Sequence, residues 1–137
     1  MILRVSTTTL AFLALALPAL AAGDAEKGAK EFNKCKSCHA IIDPTGNEIV
    51  KGGKTGPNLW GVIGRAPGSV PDFKYGEAIV AVGAAGTVWD EASLAEYTKD
   101  PGAWLKAATG DDGAKTKMTF KLSKGNEDVA AYLETMK

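Results

Sequence analysis

The chain has two cysteines, and a histidine directly follows the second of them. Cys35, Cys38 and His39 form the pattern C-x-x-C-H, which is the attachment pattern of a c-type haem. Residues three apart on a helix share a face, so both sulfurs can reach the two vinyl groups along one porphyrin edge. His39 is the only histidine of the chain, and its imidazole would then point towards the iron. The spacing therefore predicts one covalently bound haem.

Two other chemistries are open to a Cys-x-x-Cys pair. The sulfurs could form a disulfide, or they could act as a thioredoxin-like redox pair, which needs a βαβ context and an electropositive helix start. No strand pattern precedes Cys35, and the pair stands near the end of a predicted helix. The adjoining His39 favours the haem.

An iron held by one histidine needs a second axial ligand or keeps an open position. Of the three methionines, Met1 belongs to a predicted leader and Met136 lies on the apolar stripe of the predicted last helix. Met118 stands in a polar, lysine-rich segment, residues 114–122, that has no helical stripe. Met118 is therefore the candidate ligand, with core packing as the alternative. His/Met ligation would raise the reduction potential, because the soft thioether favours ferrous iron.

Short helices joined by long loops must position these residues. Helix starts are predicted from capping residues, which are Asp24, Asp90, Asp100 (followed by Pro101) and Asn126. The first helix would run towards Cys38, and another short helix is predicted over 75–82, ended by Gly83 and Gly86. Turn signals fill residues 43–72, and no convincing strand alternation occurs. The predicted fold class is all-α, and a bound group could supply the core that such short helices lack.

Composition and charge disfavour several other functions. Lys plus Arg and Asp plus Glu number 16 each, so the formal net charge is zero and a generally basic nucleic-acid binder is disfavoured. The cysteines and the histidine are too few for a four-ligand zinc site. The length allows one domain of common size.

The first residues have the pattern of a secretory signal peptide. Arg4 precedes an apolar run, residues 10–22, that is shorter than the roughly 20 residues a membrane span needs. Small residues at the end of this run predict cleavage after Ala21 or Ala22. Residues 1–21 are therefore predicted to be a cleaved signal peptide and residues 22–137 an exported domain. An uncleaved membrane anchor is the alternative.

An ordered set of residues accompanies the C-x-x-C-H motif along the chain. It comprises Gly28 and Phe32, residues 55–59 (Thr-Gly-Pro-Asn-Leu), Gly61, Gly64 and Arg65, Phe73 and Tyr75, Trp89, Leu94 and Tyr97, Asp100 and Pro101, Lys117, Met118 and Phe120, and residues 131–133. With this set the chain resembles the class I c-type cytochromes, and most closely the bacterial cytochromes c2. The resemblance implies the cytochrome c fold, in which short helices and long loops wrap around one covalently bound haem.

The resemblance also implies roles for the iron ligands. His39 and Met118 would be the two axial ligands. The carbonyl of Pro57 would accept a hydrogen bond from the other ring nitrogen of His39, which fixes the tautomer and makes the ligand more basic.

Five further residues would contact the haem by the same resemblance. Arg65, Tyr75 and Trp89 resemble residues that hydrogen-bond or neutralise the haem propionates. Tyr97 resembles a residue beside the methionine sulfur, and Phe120 one that covers the haem crevice. For the two tyrosines and the tryptophan, plain core packing is the alternative.

Lysines cluster beside both halves of the haem motif. Residues 115–124 hold four lysines and no acid, and residues 27–36 hold four lysines and one acid. Residues 72–112 hold eight acids and three lysines. A positive ring around the haem edge would steer the protein towards acidic partners, although a solvated face is the alternative for any single lysine. The candidate docking residues are Lys34, Lys36, Lys54, Lys115, Lys117, Lys121 and Lys124.

The resemblance implies a soluble periplasmic one-electron carrier that is not an enzyme. It would take electrons from the cytochrome bc1 complex and pass them to a photosynthetic reaction centre or a cytochrome c oxidase. We expect a monomer that binds no nucleic acid and does not insert stably into a membrane. A c-type haem enzyme or gas-binding sensor with an open iron position is the alternative, and a disulfide-bearing exported binding module is a third possibility.

Overall fold

Short helices and long loops make up the computed structural model, which describes residues 23–137. The predicted signal peptide, residues 1–21, lies outside the described residues. The elements in chain order are α1 (Ala25–Glu31) with a 3-10 turn (Phe32–Lys34), β1 (Ile41–Ile42), β2 (Glu48–Val50), α2 (Glu77–Ala84), α3 (Glu91–Lys99), α4 (Pro101–Thr109) and α5 (Asn126–Glu134). Within residues 23–137 no helix is long and apolar enough to cross a bilayer.

Three of the predicted helix starts are confirmed by their capping hydrogen bonds. Asp24 accepts from the backbone N–H groups of Glu26 and Lys27 at the start of α1. Asp90 accepts from the Ser93 N–H at the start of α3. At the start of α4, Asp100 accepts from Ala103 N–H, and proline takes the first helical position, where no hydrogen-bond donor is needed.

The fourth predicted cap is wrong. Gly125, in the left-handed conformation at φ 79°, precedes α5, and Asn126 is the first residue of the helix. The Asn126 side chain is 3% exposed, and its amide nitrogen donates to Thr98 Oγ1 and to the Leu122 carbonyl, both at 2.9 Å. A buried amide group must find partners, and the acceptors on the neighbouring helix and loop hold this side chain away from the N–H groups of α5, to which it makes no capping bond.

The helix predicted over 75–82 is shifted by two residues at each end. The Tyr75 hydroxyl accepts from the Val70 N–H, 3.1 Å away, and this residue stays in the loop before α2. Gly83 does not end the helix but lies inside it. A Cβ at this position would overlap the Pro67 carbonyl oxygen, so glycine permits a close approach here instead of a helix end.

A small antiparallel hairpin lies at the start of the stretch predicted to be loop (residues 43–72), with β1 just before this stretch and β2 inside it. Ile41 pairs with Val50 and Ile42 with Glu48, with a bulge between the two pairs. The connecting turn is held by Asp43, whose carboxylate accepts from the N–H groups of Thr45 and Asn47. Strands this short show no alternation that sequence reasoning could detect.

The two ends of the described chain pack against each other. Helix α1 crosses α5, where Gly28 is buried and the rings of Phe32 and Tyr132 lie 5.6 Å apart between centroids. A Cβ at Gly28 would overlap the Asp128 carbonyl oxygen and lie 2.7 Å from Tyr132 Cβ. Helix α5 also packs on α3, and α2 on α4, so the core forms between these pairs.

Replacing Gly28 with Ala should therefore force α1 away from α5. We expect the free energy of unfolding to fall by about 3 kcal/mol, the upper range for overpacking a core, in a denaturant titration of the haem-bound protein. Gly102→Ala is the matched control, because a Cβ there meets nothing closer than 3.6 Å and should cost little or slightly stabilise α4. An equal loss in both variants would contradict the argument from helix approach.

Candidate functional site

All ten residues predicted to bind the cofactor line one cavity of about 320 Å³. They are Cys35, Cys38, His39, Pro57, Arg65, Tyr75, Trp89, Tyr97, Met118 and Phe120. The cavity opens into the middle of the core, and several buried apolar side chains form part of its wall, namely Phe32, Val62, Leu94, Leu105, Val129 and Leu133. The core is thus built around this space.

The C-x-x-C-H segment continues the helical spacing beyond the 3-10 turn. The N–H groups of Cys38 and His39 both donate to the Cys35 carbonyl, at 3.1 and 2.9 Å. Cys35 is half-buried, Cys38 is exposed, and no disulfide joins them. Burial raises the pKa of the Cys35 thiol to about 11, with the neighbouring Cys38 thiol adding to the shift. A thioredoxin-like pair needs a lowered thiol pKa at this first cysteine, so the site does not fit that chemistry.

His39 is held in one tautomer by a backbone carbonyl. Its Nδ1 lies 2.8 Å from the Pro57 carbonyl oxygen. A carbonyl only accepts, so Nδ1 carries the proton and Nε2 of the neutral ring keeps its lone pair. Burial lowers the pKa of His39, which keeps the ring neutral at physiological pH. The ring is therefore prepared to act as a metal ligand through Nε2.

A glycine-containing loop lies directly on this segment. The Gly53 N–H donates to the Lys36 carbonyl and the Gly56 N–H to the Cys38 carbonyl, both at 2.8 Å. A Cβ on Gly56 would overlap His39 Cε1 and lie 2.7 Å from Nδ1. The loop thus fixes the histidine ring from one side, and only glycine leaves room for it.

Met118 reaches the same cavity from a loop far along the chain. Thr116 closes this loop, because its hydroxyl accepts from the Met118 N–H at 3.0 Å and donates to the Met118 carbonyl at 3.2 Å. The half-buried Met118 side chain packs against the core. Burial raises the pKa of Tyr97, which lines the same cavity.

Arg65 places a half-buried cation in the cavity wall. Its guanidinium donates to the carbonyls of Trp60 (3.0 Å) and Asn58 (3.2 Å). Among residues 23–137 no carboxylate lies within ion-pair distance of it. Burial lowers the pKa of Arg65, which nevertheless stays cationic at neutral pH. A buried charge of this kind calls for an anionic group in the cavity.

Aromatic residues form the remaining wall. Trp89 (5% exposed) and Tyr97 (8% exposed) have ring centroids 5.1 Å apart, and Trp104 packs on both at 5.0 and 5.5 Å. Tyr75 packs on Phe73 with centroids 4.7 Å apart. Phe120 is 43% exposed and lies at the edge of the cavity.

These residues fit a haem. The cavity combines two thiols, an imidazole with a free lone pair, a thioether, a cation without a carboxylate partner among the described residues, and an apolar wall. This set suits a covalently bound iron porphyrin with propionates. The described residues contain no cluster of three or more His, Cys, Asp or Glu that could hold a different metal ion.

Some residues that shape the site were not predicted to do so. Gly56, Asn58 and Thr116 all act through backbone or ring contacts with residues distant in the sequence. The only sequence signal for the first two was the run of residues 55–59, and none marked Thr116. Of the seven docking lysines, Lys34, Lys115 and Lys117 line the cavity and the other four do not.

The chain is closely similar to known cytochromes. No family model matches it. The cytochrome c2 of Rhodobacter capsulatus is 60% identical over 134 residues, which cover 98% of this chain and 97% of the relative. The cytochrome c-550 of Paracoccus versutus is 60% identical over 128 residues, covering 91% of this chain and 83% of the relative. The solved structure of the R. capsulatus cytochrome c2 has a TM-score of 0.82 and 64% identity, covering 82% of this chain and 97% of that one.

Identity and coverage of this size confirm the resemblance inferred from the motifs, and with it the cytochrome c fold. The chain belongs to the class I c-type cytochromes of the cytochrome c2 type, which makes it an electron carrier and not an enzyme, with one haem c bound covalently through Cys35 and Cys38.

Proposed function

We propose that this electron carrier is exported to the periplasm and cycles between the cytochrome bc1 complex and either a photosynthetic reaction centre or a cytochrome c oxidase. The observation that supports a closed, carrier-type iron is the meeting of His39 and Met118 in the cavity that also contains the Cys35–Cys38 segment. Two such axial ligands leave no iron position for a substrate.

The chain's own residues would set the properties of the site. When bound, the haem supplies a one-electron Fe(III)/Fe(II) couple. His39 would ligate through Nε2 while Pro57 keeps the proton on Nδ1, and Met118 would ligate through its sulfur while Thr116 holds its backbone. The apolar wall excludes water from the site. Rigid ligands in a dry site keep the structural change on electron transfer small.

The remaining cavity residues would handle the propionates and the methionine. Arg65, which is cationic and has no carboxylate partner in the described part of the chain, would neutralise a propionate. Tyr75 and Trp89 would assist it by hydrogen bonding. Tyr97 would lie beside the methionine sulfur, and the exposed Phe120 would cover the crevice.

Docking would depend on lysines around the cavity opening. All seven candidates are exposed, but three already have partners: Lys34 pairs with Glu31, Lys121 pairs with Asp100, and Lys117 donates to the Lys74 carbonyl. Only Lys34 and Lys121 are paired with a carboxylate, so we expect the other five, which form no ion pair among the described residues, to contribute most of the free positive charge.

Export would follow cleavage after Ala21 or Ala22. Asp24 caps α1 and donates its N–H to Asp128 Oδ1 at 2.8 Å, and both contacts lie on the domain side of the predicted cleavage position. Removal of the leader would therefore leave these contacts intact.

A reduced-minus-oxidised spectrum of the native protein, taken with carbon monoxide addition, tests the proposal. We expect haem c bands together with a methionine–iron charge-transfer band in the ferric protein, and no rapid carbon monoxide binding to the ferrous protein. Rapid binding would support the enzyme or sensor with an open iron position instead. Reduction by a bc1 complex and oxidation by a reaction centre or an oxidase would identify the partners.

Lys115→Glu should slow association with an acidic partner. Lys115 lies at the cavity wall and forms no ion pair within residues 23–137, so reversing its charge would repel an acidic partner at the contact. We expect the second-order rate constant to fall several-fold at low salt and the loss to shrink as salt rises. Lys106→Glu makes the same charge change on α4 and should have a much smaller effect. Equal effects would show that total charge, not docking position, controls the rate.

A further inference from the structure

Two chain segments are joined by hydrogen bonds on the histidine side of the cavity. Residues 39–42 run beside residues 57–60. His39 Nδ1 donates to the Pro57 carbonyl at 2.8 Å, and the Leu59 N–H donates to the Ala40 carbonyl at 3.1 Å. These contacts determine where the Pro57 carbonyl stands relative to the ring.

The side chain of Asn58 continues this pairing, because it bonds to Ile42 as the backbone of a neighbouring β-strand would. Its Oδ1 accepts from the N–H groups of Ile42 (2.9 Å) and Trp60 (3.1 Å), and its Nδ2 donates to the Ile42 carbonyl (2.8 Å). An asparagine amide has one acceptor and one donor group, so it reproduces both hydrogen-bonding groups of a peptide unit. Three hydrogen bonds from one half-buried side chain thus fix the backbone directly after Pro57.

The backbone of residues 57–60 also holds the cationic side chain of Arg65. Arg65 donates to the backbone carbonyls of Asn58 and Trp60. The backbone between Pro57 and Trp60 therefore carries both the carbonyl that orients His39 and the two carbonyls that orient Arg65. The Asn58 side chain is the only side chain that binds this stretch to the strand following the histidine, among the hydrogen bonds of residues 23–137.

We propose that Asn58 is a positioning residue for His39, acting through the Pro57 carbonyl to hold the Nδ1–H···O hydrogen bond short and thereby to tune the reduction potential. The inference rests on the proposed role of His39 as an axial ligand. A strong hydrogen bond at Nδ1 increases electron density at Nε2 and stabilises ferric iron. Loosening the Pro57 carbonyl should weaken that bond, lower the basicity of Nε2 and raise the potential.

The experiment uses the haem-bound protein with Asn58→Ala and Asn58→Asp. The aspartate keeps the acceptor for Ile42 and Trp60 but loses the donor to the Ile42 carbonyl, and it is nearly isosteric. At a fixed external potential we expect the ferric-to-ferrous ratio of Asn58→Ala to fall by roughly two- to fivefold, because Asn58 acts on His39 only through its hydrogen-bond partner Pro57. The His39 ring N–H, followed by NMR in the ferrous protein, should also exchange faster with solvent.

Asn126→Ala is the matched control. Asn126 is also a buried asparagine whose amide nitrogen makes two hydrogen bonds, but these lie between α3 and α5. The Asn126→Ala variant should be less stable than the wild type, while its ferric-to-ferrous ratio and the exchange rate of the His39 ring N–H stay unchanged. The proposal is overturned if Asn58→Ala keeps the wild-type ratio, or if Asn126→Ala changes it equally. Should Asn58→Ala not fold, the exchange of the His39 ring N–H in Asn58→Asp decides, because the added carboxylate charge by itself stabilises ferric iron and changes the ratio; exchange at the wild-type rate then overturns the proposal.

Failure of this inference and failure of the proposed function give different results. If the wild-type protein already lacks the spectrum of His/Met ligation, the proposed function is wrong. If the wild-type spectrum is present and the Asn58 variants differ from it only in stability, the positioning role alone is wrong.

Discussion

Met118→Ala should lower the reduction potential by a few tenths of a volt, because axial ligands set the potential of a haem over a range of about 0.8 V. It should also open the iron to small ligands. Loss of the thioether removes the ligand that favours ferrous iron. The variant should lose the methionine–iron charge-transfer band and bind carbon monoxide in the ferrous state, which a redox titration and a carbon monoxide titration measure.

The fold of the methionine loop should survive this substitution. Thr116 bonds the N–H and the carbonyl of residue 118, and neither contact uses the Met118 side chain. The substitution should therefore change the spectrum and the reduction potential of the haem, and should change the free energy of unfolding only slightly.

Met136→Ala is the control for this first prediction. Met136 packs half-buried beside the core just after α5, so its loss should cost at most about 2 kcal/mol and leave the band and the potential unchanged. A normal charge-transfer band in Met118→Ala would falsify the assignment of Met118 as a ligand.

Gly56→Ala should disturb the other side of the iron. A Cβ at this position would overlap His39 Cε1 and lie 2.7 Å from Nδ1 and 2.8 Å from Nε2, so the ring must move. Movement would stretch the hydrogen bond to Pro57 and misalign Nε2. We expect the free energy of unfolding to fall by about 3 kcal/mol and the spectrum of His/Met ligation to be partly lost. Denaturant titration and the visible spectrum measure the two effects.

Gly76→Ala is the control for Gly56→Ala. Gly76 also lines the cavity, but a Cβ there meets nothing closer than 3.7 Å, and the residue has an ordinary φ of −75°. Its only expected cost is that of a poor helix cap before α2, about 1 kcal/mol or less. Unchanged ligation in both variants would show that the loop can shift to accommodate the added methyl group.

Chemically distinctive residues were predictable because their function depends on their own atoms. Cys35, Cys38 and His39 are identified by spacing alone, and Met118 by being a lone methionine in a polar segment. Helices α3 and α4 were predictable because Asp90 and Asp100 bond N–H groups only three residues away.

Prediction failed where the partner of a residue lies far along the chain. Asn126 has the side chain of a helix cap, but Thr98 and Leu122 offer its buried amide other partners. A glycine often ends a helix, but Gly83 lies inside α2, where the Pro67 carbonyl packs too close for a residue with a Cβ. The hairpin of β1 and β2 is too short to show a period.

The chemistry of this protein can be inferred from its residues and their local spacing: a haem attached at Cys35 and Cys38, its candidate ligands and the approximate set of helices. How those ligands are held becomes visible in the folded chain, through the Pro57 carbonyl, the space left by Gly56, the Asn58 amide and the Thr116 hydroxyl. The difference arises because ligand chemistry belongs to single side chains. Orientation comes from hydrogen bonds and close contacts between segments that meet only after the chain has folded.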